Sequence, residues 1–176
     1  MSSRREEILD AAESVLERER LENFGITALA RRVGVKPPSL YKHFSGIAEI
    51  EHALISRWFR RMGAALAAAE ATAGEHPGAR MRAFAAGYRR VAGDGPQLYR
   101  LATERPLGRE LLEPGVEEAA MAALLRFFGE TPEQHDRARL VWAAAHGLVA
   151  LEAAGRFPPG ADLDAAWELL ARTFQR

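Results

Sequence analysis

Apolar positions recur at helical spacing along almost the whole chain. Ile8, Ala11, Ala12, Val15 and Leu16 form one stripe, preceded by Ser3 and Glu6 at capping-box spacing. A first helix is therefore predicted from this cap to about residues 23–25. A short second helix is predicted over 28–33, with Thr27 as its N-cap and Gly34 as its stop. Its inward positions are Leu29, Ala30 and Val33. Next comes GVKPPSLYKHF, residues 34–44, which reads as a glycine turn into a third helix with Lys36 near the N-cap. Pro37 and Pro38 fit its first turn, where backbone N–H groups lack intrahelical partners and a fixed φ suits the helix. Leu40 and Phe44 are its inward positions.

Ser45-Gly46 then leads into a long helix over about 47–73, with Ile50, Ala53, Leu54, Trp58, Met62 and Leu66 on its core side. After the Gly74–Gly78 break, helices are predicted over 79–92, 97–103, 113–128, 131–154 and from Asp162 to about 174. Thr131-Pro132-Glu133-Gln134 is a strong start signal, and Asp162 is a cap. The predicted fold class is all-α: an N-terminal three-helix unit with a helix-turn-helix (1–47), then a larger C-terminal helical domain (48–176). Two short helices joined by a glycine turn form that motif, whose second helix can present its first residues to base edges.

Composition agrees: 48% hydrophobic and 27% charged residues suit a chain with a real core. The absence of cysteine excludes disulfides, thiol catalysis and cysteine-based zinc sites. The charged start MSSRREEILDAAE lacks the apolar core of a signal peptide, and no apolar window is long enough for a bilayer. A cytoplasmic protein with no membrane role is expected. Net charge is zero, but its distribution is uneven. Between residues 23 and 48 the only charges are Arg31, Arg32, Lys36 and Lys42, whereas the preceding segment is rich in acids. A local basic face suits a compact DNA reader, because phosphate attraction acts mainly within about 10 Å at ordinary salt.

The run ITALARRVGVKPPSLYKHF resembles the N-terminal signature of the tetracycline-repressor-like (TetR) family, above all in Thr27, Gly34 and Leu40-Tyr41-Lys42-His43-Phe44. WAAAHG at 142–147 resembles a C-terminal subgroup of that family named for Trp-His-Gly. The resemblance implies DNA contact by Thr27, Lys36, Pro37, Pro38, Ser39, Tyr41, Lys42 and His43. It also implies a homodimer formed through the last two helices, a palindromic double-stranded DNA operator and a small-molecule effector, with a repressor's role in transcription. Two departures stand out: Lys36 replaces a usual serine cap, and residues 45–50, SGIAEI, lack a lysine common at the entry to the fourth helix.

Trp58, Met62, Phe84, Tyr88, Tyr99, Met121, Trp142 and His146 are the candidates to border an effector cavity, helix interiors being a common place for such sites. The competing reading makes most of them plain core, and His146 a buried, hydrogen-bonded histidine. No metal-ligand spacing joins the histidines, and no catalytic motif is present, so neither cofactor nor metal is expected. The alternative function is a helical-bundle small-molecule-binding protein or enzyme with a vestigial helix-turn-helix.

Overall fold

The structure is a computed structural model that describes residues 3–74 and 76–174. Regular structure among these residues is entirely helical. The α-helices are α1 (Arg4–Glu19), α2 (Ile26–Val33), α3 (Pro37–Leu40), α4 (Ile47–Thr72), α5 (Pro77–Asp94), α6 (Pro96–Glu104), α7 (Val116–Leu125), α8 (Pro132–Ala153) and α9 (Leu163–Thr173). Two short 3-10 turns, Leu21–Asn23 and Arg109–Leu111, were not predicted.

Helix ends follow their local chemistry. The Ser3 hydroxyl accepts the Glu6 N–H at 3.3 Å, while the Glu6 carboxylate reaches Arg57. At α8 the full reciprocal box forms between Thr131 and Gln134, and Asp162 accepts the Ala165 N–H at 2.8 Å. Gly34 ends α2 at φ 73°, a left-handed conformation that glycine adopts cheaply.

Several predicted boundaries are corrected. α1 ends at Glu19 rather than near 23–25, because Arg20 takes a positive φ (65°) and the chain restarts as the Leu21–Asn23 turn. Thr27 does not cap α2: Gly25 takes the extended N-cap conformation, so Thr27 falls inside the first turn with its side chain exposed. α5 runs through Gly93 to Asp94, because one glycine inside a helix is tolerated. α7 starts at Val116 rather than 113, since Pro114 and the left-handed Gly115 (φ 78°) hold the chain in a turn.

The chain packs as two compact units, the first made of residues up to Phe59 together with Gly95–Glu117, the second of Arg60–Asp94 together with Glu118 onward. The first unit therefore contains α1 to α3, the start of α4, and α6. Its core includes Ile8, Leu16, Leu29, Leu40, Ile50 and Leu101, all fully buried. Arg57 of α4 meets Glu6 (2.5 Å), Asp10 (2.8 Å) and Glu13 (3.4 Å) of α1. Burial opposes the Arg57 charge, but the Glu6 and Asp10 hydrogen bonds outweigh it and raise its pKa. Glu17 of α1 accepts the first free N–H groups of α6, from Gln97 (3.2 Å) and Leu98 (2.8 Å). These orphan donors need such a partner, and a carboxylate suits the positive end of the helix dipole.

In the second unit Phe84 of α5 is fully buried, with its ring centroid 5.8 Å from that of Tyr88, 5.6 Å from Phe127 and 6.1 Å from Phe128. Arg89 of α5 reaches Glu152 of α8 (3.0 Å) and Asp164 of α9 (2.5 Å). A Cβ on Gly63 would lie 3.3 Å from the Ala120 backbone, so glycine there lets α4 and α7 approach closely.

Candidate nucleic-acid interface

The second helix of the motif is brief: α3 is one helical turn, and the chain continues as a tight turn through His43. Lys36 holds the N-cap position in extended conformation (ψ 146°), with Pro37 and Pro38 immediately inside. His43 and Phe44 N–H groups bond back to the Leu40 carbonyl at 2.9 and 3.1 Å. Leu40 and Phe44 are buried, which turns Lys36, Pro38, Tyr41, Lys42 and His43 outward; Pro37 and Ser39 are half-buried. Tyr41 is 55% exposed although aromatic, as a side chain kept for a partner would be. Thr27, Arg31 and Arg32 of α2 are exposed in the same unit. All eight sequence-predicted DNA contacts thus fall on two short neighbouring helices and the turn that follows them.

Two residues missed by sequence reasoning frame this turn. Arg5 of α1 donates through Nη1 to the His43 carbonyl (2.6 Å) and through Nη2 to Glu49 of α4 (2.7 Å). Its guanidinium also lies over the Phe44 ring, 4.1 Å from the centroid. Glu49 accepts the Ser45 N–H (2.6 Å) and hydroxyl (2.9 Å). The Ser45 N–H, followed by Arg5, holds the Glu49 carboxyl below its usual pKa. The contribution of this folded-state contact is therefore present above the ordinary carboxylate range and is lost only as pH falls through the lowered value. The signal available beforehand was an acid directly after a segment that contains none.

A second set of contacts ties α4 to the loop after α6. His52 and Ser56, buried polar residues one turn apart, accept the Gly108 N–H at Nε2 (2.9 Å) and the Glu113 N–H at Oγ (3.0 Å). Acceptance at Nε2 places the neutral ring's proton on Nδ1, facing the Ala48 carbonyl at 2.7 Å. Gly108→Ala is expected to weaken this hook, since its Cβ would meet Glu110 Oε1 at 3.0 Å and His52 Nε2 at 3.2 Å. Thermal melting should show a loss of about 1–2 kcal/mol.

The eight cavity candidates are divided between the two units and between interior and surface. Trp58 and Tyr99 are buried in the first unit, their rings 6.0 Å apart. Met62, Phe84 and Tyr88 are buried in the second. Met121 and Trp142 lie at the surface, 46% and 44% exposed, and His146 is half-buried with its ring 6.4 Å from that of Trp142. Helical position explains Trp142: the buried line of α8 is Ala138, Val141, Ala145 and Val149, and Trp142 stands to one side of it. A groove of about 270 Å³ between α5 and α9 is lined by Arg82, Arg89, Trp167 and Glu168 among others, and by none of the eight. No group of three or more potential metal ligands occurs among the described residues.

An exposed turn on a buried Leu40–Phe44 base, reached from α2 through the Gly34 turn, gives the described residues a helix-turn-helix, the arrangement of a DNA-binding regulator. Residues 8–54 match the family described as bacterial regulatory proteins, tetR family, and residues 81–174 match the tetracyclin repressor-like C-terminal domain. The chain belongs to the TetR family of transcriptional regulators. It is 32% identical over 163 residues to the uncharacterised HTH-type transcriptional regulator Rv0681 of Mycobacterium tuberculosis, covering 86% of this chain and 71% of that one. A protein of unknown function from Rhodococcus sp. RHA1 superimposes with TM-score 0.78 at 29% identity, over 100% of this chain and 95% of the other. The fold is also shared by a TetR point variant of Acinetobacter baumannii AYE in complex with minocycline (TM-score 0.69, 19% identity, 99% and 95% covered). No described helix is long and apolar enough to cross a membrane.

Proposed function

We propose that this regulator is a ligand-responsive repressor that binds a palindromic operator as a homodimer, with residues 1–47 as the DNA-binding part and 48–176 as the regulatory and dimerising part. The observation that carries the dimer is the outer surface of α8 and α9. From Leu140 to Ala153, α8 has a single charge, Glu152, and it is apolar nearly all round. A helix of that kind needs covering on both sides. One side packs inward through Val141, Ala145 and Val149. The other exposes Leu140 (62%) and Leu151 (46%), with Gly147 on the same face. Leu169 of α9 adds a further exposed leucine. A second copy of the chain, applied about a two-fold axis, would bury this surface and present two reading turns to successive half-sites about 34–36 Å apart.

Thr27, Tyr41 and His43 are assigned to the DNA backbone, Lys42 to a phosphate or base contact, and Lys36, Pro37, Pro38 and Ser39 to the bases, the two prolines also setting the shape of the turn. Lys42→Ala is expected to weaken binding to every sequence and to reduce the salt slope of log Kd by about 0.9, the loss of one phosphate contact. Fluorescence anisotropy over a salt series reads this directly, and an unchanged slope removes Lys42 from the contacts.

The effector assignment rests on buried candidates within each unit, Trp58 with Tyr99 in the first and Met62, Phe84 and Tyr88 in the second. Among the described residues the Trp58 indole N–H is buried without an acceptor, a donor that a ligand could satisfy. The minocycline-bound neighbour supports a small molecule as the signal. A near-complete switch requires about 5.5 kcal/mol of differential effector affinity between the DNA-competent and released forms. The protein acts on chromosomal DNA in this reading, hence in the cytoplasm. Selection of bound duplexes from genomic DNA, followed by a screen for compounds that release them, tests the whole proposal. Failure to enrich any duplex at low salt would sink it.

A further inference from the structure

We propose that Arg5 is a positioning residue for DNA recognition: with Glu49 it forms a clasp that fixes the exit of the reading turn. The proposal rests on the DNA-binding reading and deepens it. A helix of one turn has no stability of its own, because nucleation is unfavourable and only propagation repays it. The orientation of α3 (Pro37–Leu40) is therefore imposed by its surroundings. Its entry is set by two prolines of fixed φ, and its underside by buried Leu40 and Phe44. Its exit is a run of turn residues whose carbonyls and N–H groups have no helix to complete.

The clasp closes that exit from two directions. Arg5 holds the His43 carbonyl at 2.6 Å from α1, while Glu49 holds the Ser45 N–H at 2.6 Å from α4. The two side chains join each other at 2.7 Å, and the same guanidinium covers the Phe44 ring. One planar, charged fork thus bridges three elements, a geometry that the single donor site of lysine cannot reproduce. Tyr41, Lys42 and His43 lie between the helical turn and the clasp, so their placement depends on both.

Charge makes the inference sharp. Glu49 is an acid beside a DNA-facing segment that has none between residues 23 and 48. On Coulomb grounds alone its removal would tighten DNA binding. The clasp predicts the opposite.

The test uses the full-length protein and a duplex selected by the wild type, with anisotropy titrations over a salt series. Glu49→Gln is expected to weaken binding about tenfold despite removing a negative charge, the effect of losing one charge-assisted contact. Arg5→Gln is expected to weaken binding similarly with the salt slope unchanged, and Arg5→Lys to recover only part of the loss. The double variant Arg5→Gln/Glu49→Gln should be little worse than either single one, because both break the same clasp. Circular-dichroism melts confirm that each variant is folded at the assay temperature. If the wild type binds a duplex and Glu49→Gln binds equally or more tightly, the clasp is wrong and the DNA reading stands. A salt slope reduced by about 0.9 in Arg5→Gln overturns it too, making Arg5 a phosphate ligand. If the wild type binds no duplex, the DNA reading itself fails and the clasp falls with it.

Discussion

Leu151→Glu is expected to turn the protein into a monomer while leaving each chain folded. Leu151 is 46% exposed in the isolated chain, so a glutamate there remains in contact with water and folding changes by no more than about 0.5 kcal/mol. In the proposed two-fold dimer the same leucine occurs twice, and both carboxylates would be buried in an apolar seam without partners. The penalty for an unpaired buried charge is several kcal/mol each, so the dimer dissociation constant should rise by at least about a thousandfold. Sedimentation equilibrium measures this, with far-UV circular dichroism as the control. Operator affinity should fall with it, because a monomer engages one half-site only. A Leu151→Glu protein that sediments as a dimer would show that the outer face of α8 is not the interface.

Phe84→Ala should act on the interior of the same unit. Phe84 is fully buried against Tyr88, Phe127 and Phe128, so truncation leaves a cavity among three rings. Phe-to-Ala changes at such sites cost about 3–5 kcal/mol, a large share of a domain's stability. Urea unfolding should show the midpoint fall accordingly. The magnitude decides how Phe84 is used. A loss in that range makes it core, whereas a small loss accompanied by a changed effector response would place it on a ligand cavity wall.

What was legible in the sequence was local. Ser3, Gly34, Thr131 and Asp162 announced helix ends because each acts within three or four residues of itself. The inward Leu40 and Phe44, and hence the outward Tyr41, Lys42 and His43, followed from helical spacing and from the family signature. Thr27 misled because a good capping residue stood two positions after a glycine able to do the same work in extended form. The exposure of Trp142 was not legible for a related reason: on an α8 apolar almost all round, spacing alone does not separate the side facing the core from the side facing out. The polar ties had no period at all. Arg5 with Glu49, Glu17 with the start of α6, and His52 with Gly108 join positions more than forty residues apart. No neighbouring residue signals such a pairing.

The Glu17 cap on α6 bears on how DNA specificity could be transplanted. Grafting a relative's first 47 residues onto this chain would place a foreign side chain opposite the N–H groups of Gln97 and Leu98. It would also remove one of the two carboxylate partners of Arg100, Glu22 at 2.8 Å, leaving Glu104 alone. The first compact unit is discontinuous in sequence, so a chimaera cut after residue 47 breaks contacts that a contiguous unit would keep. Exchanging only positions 36–39 and 41–43 leaves every one of those ties in place, and is the graft that should fold.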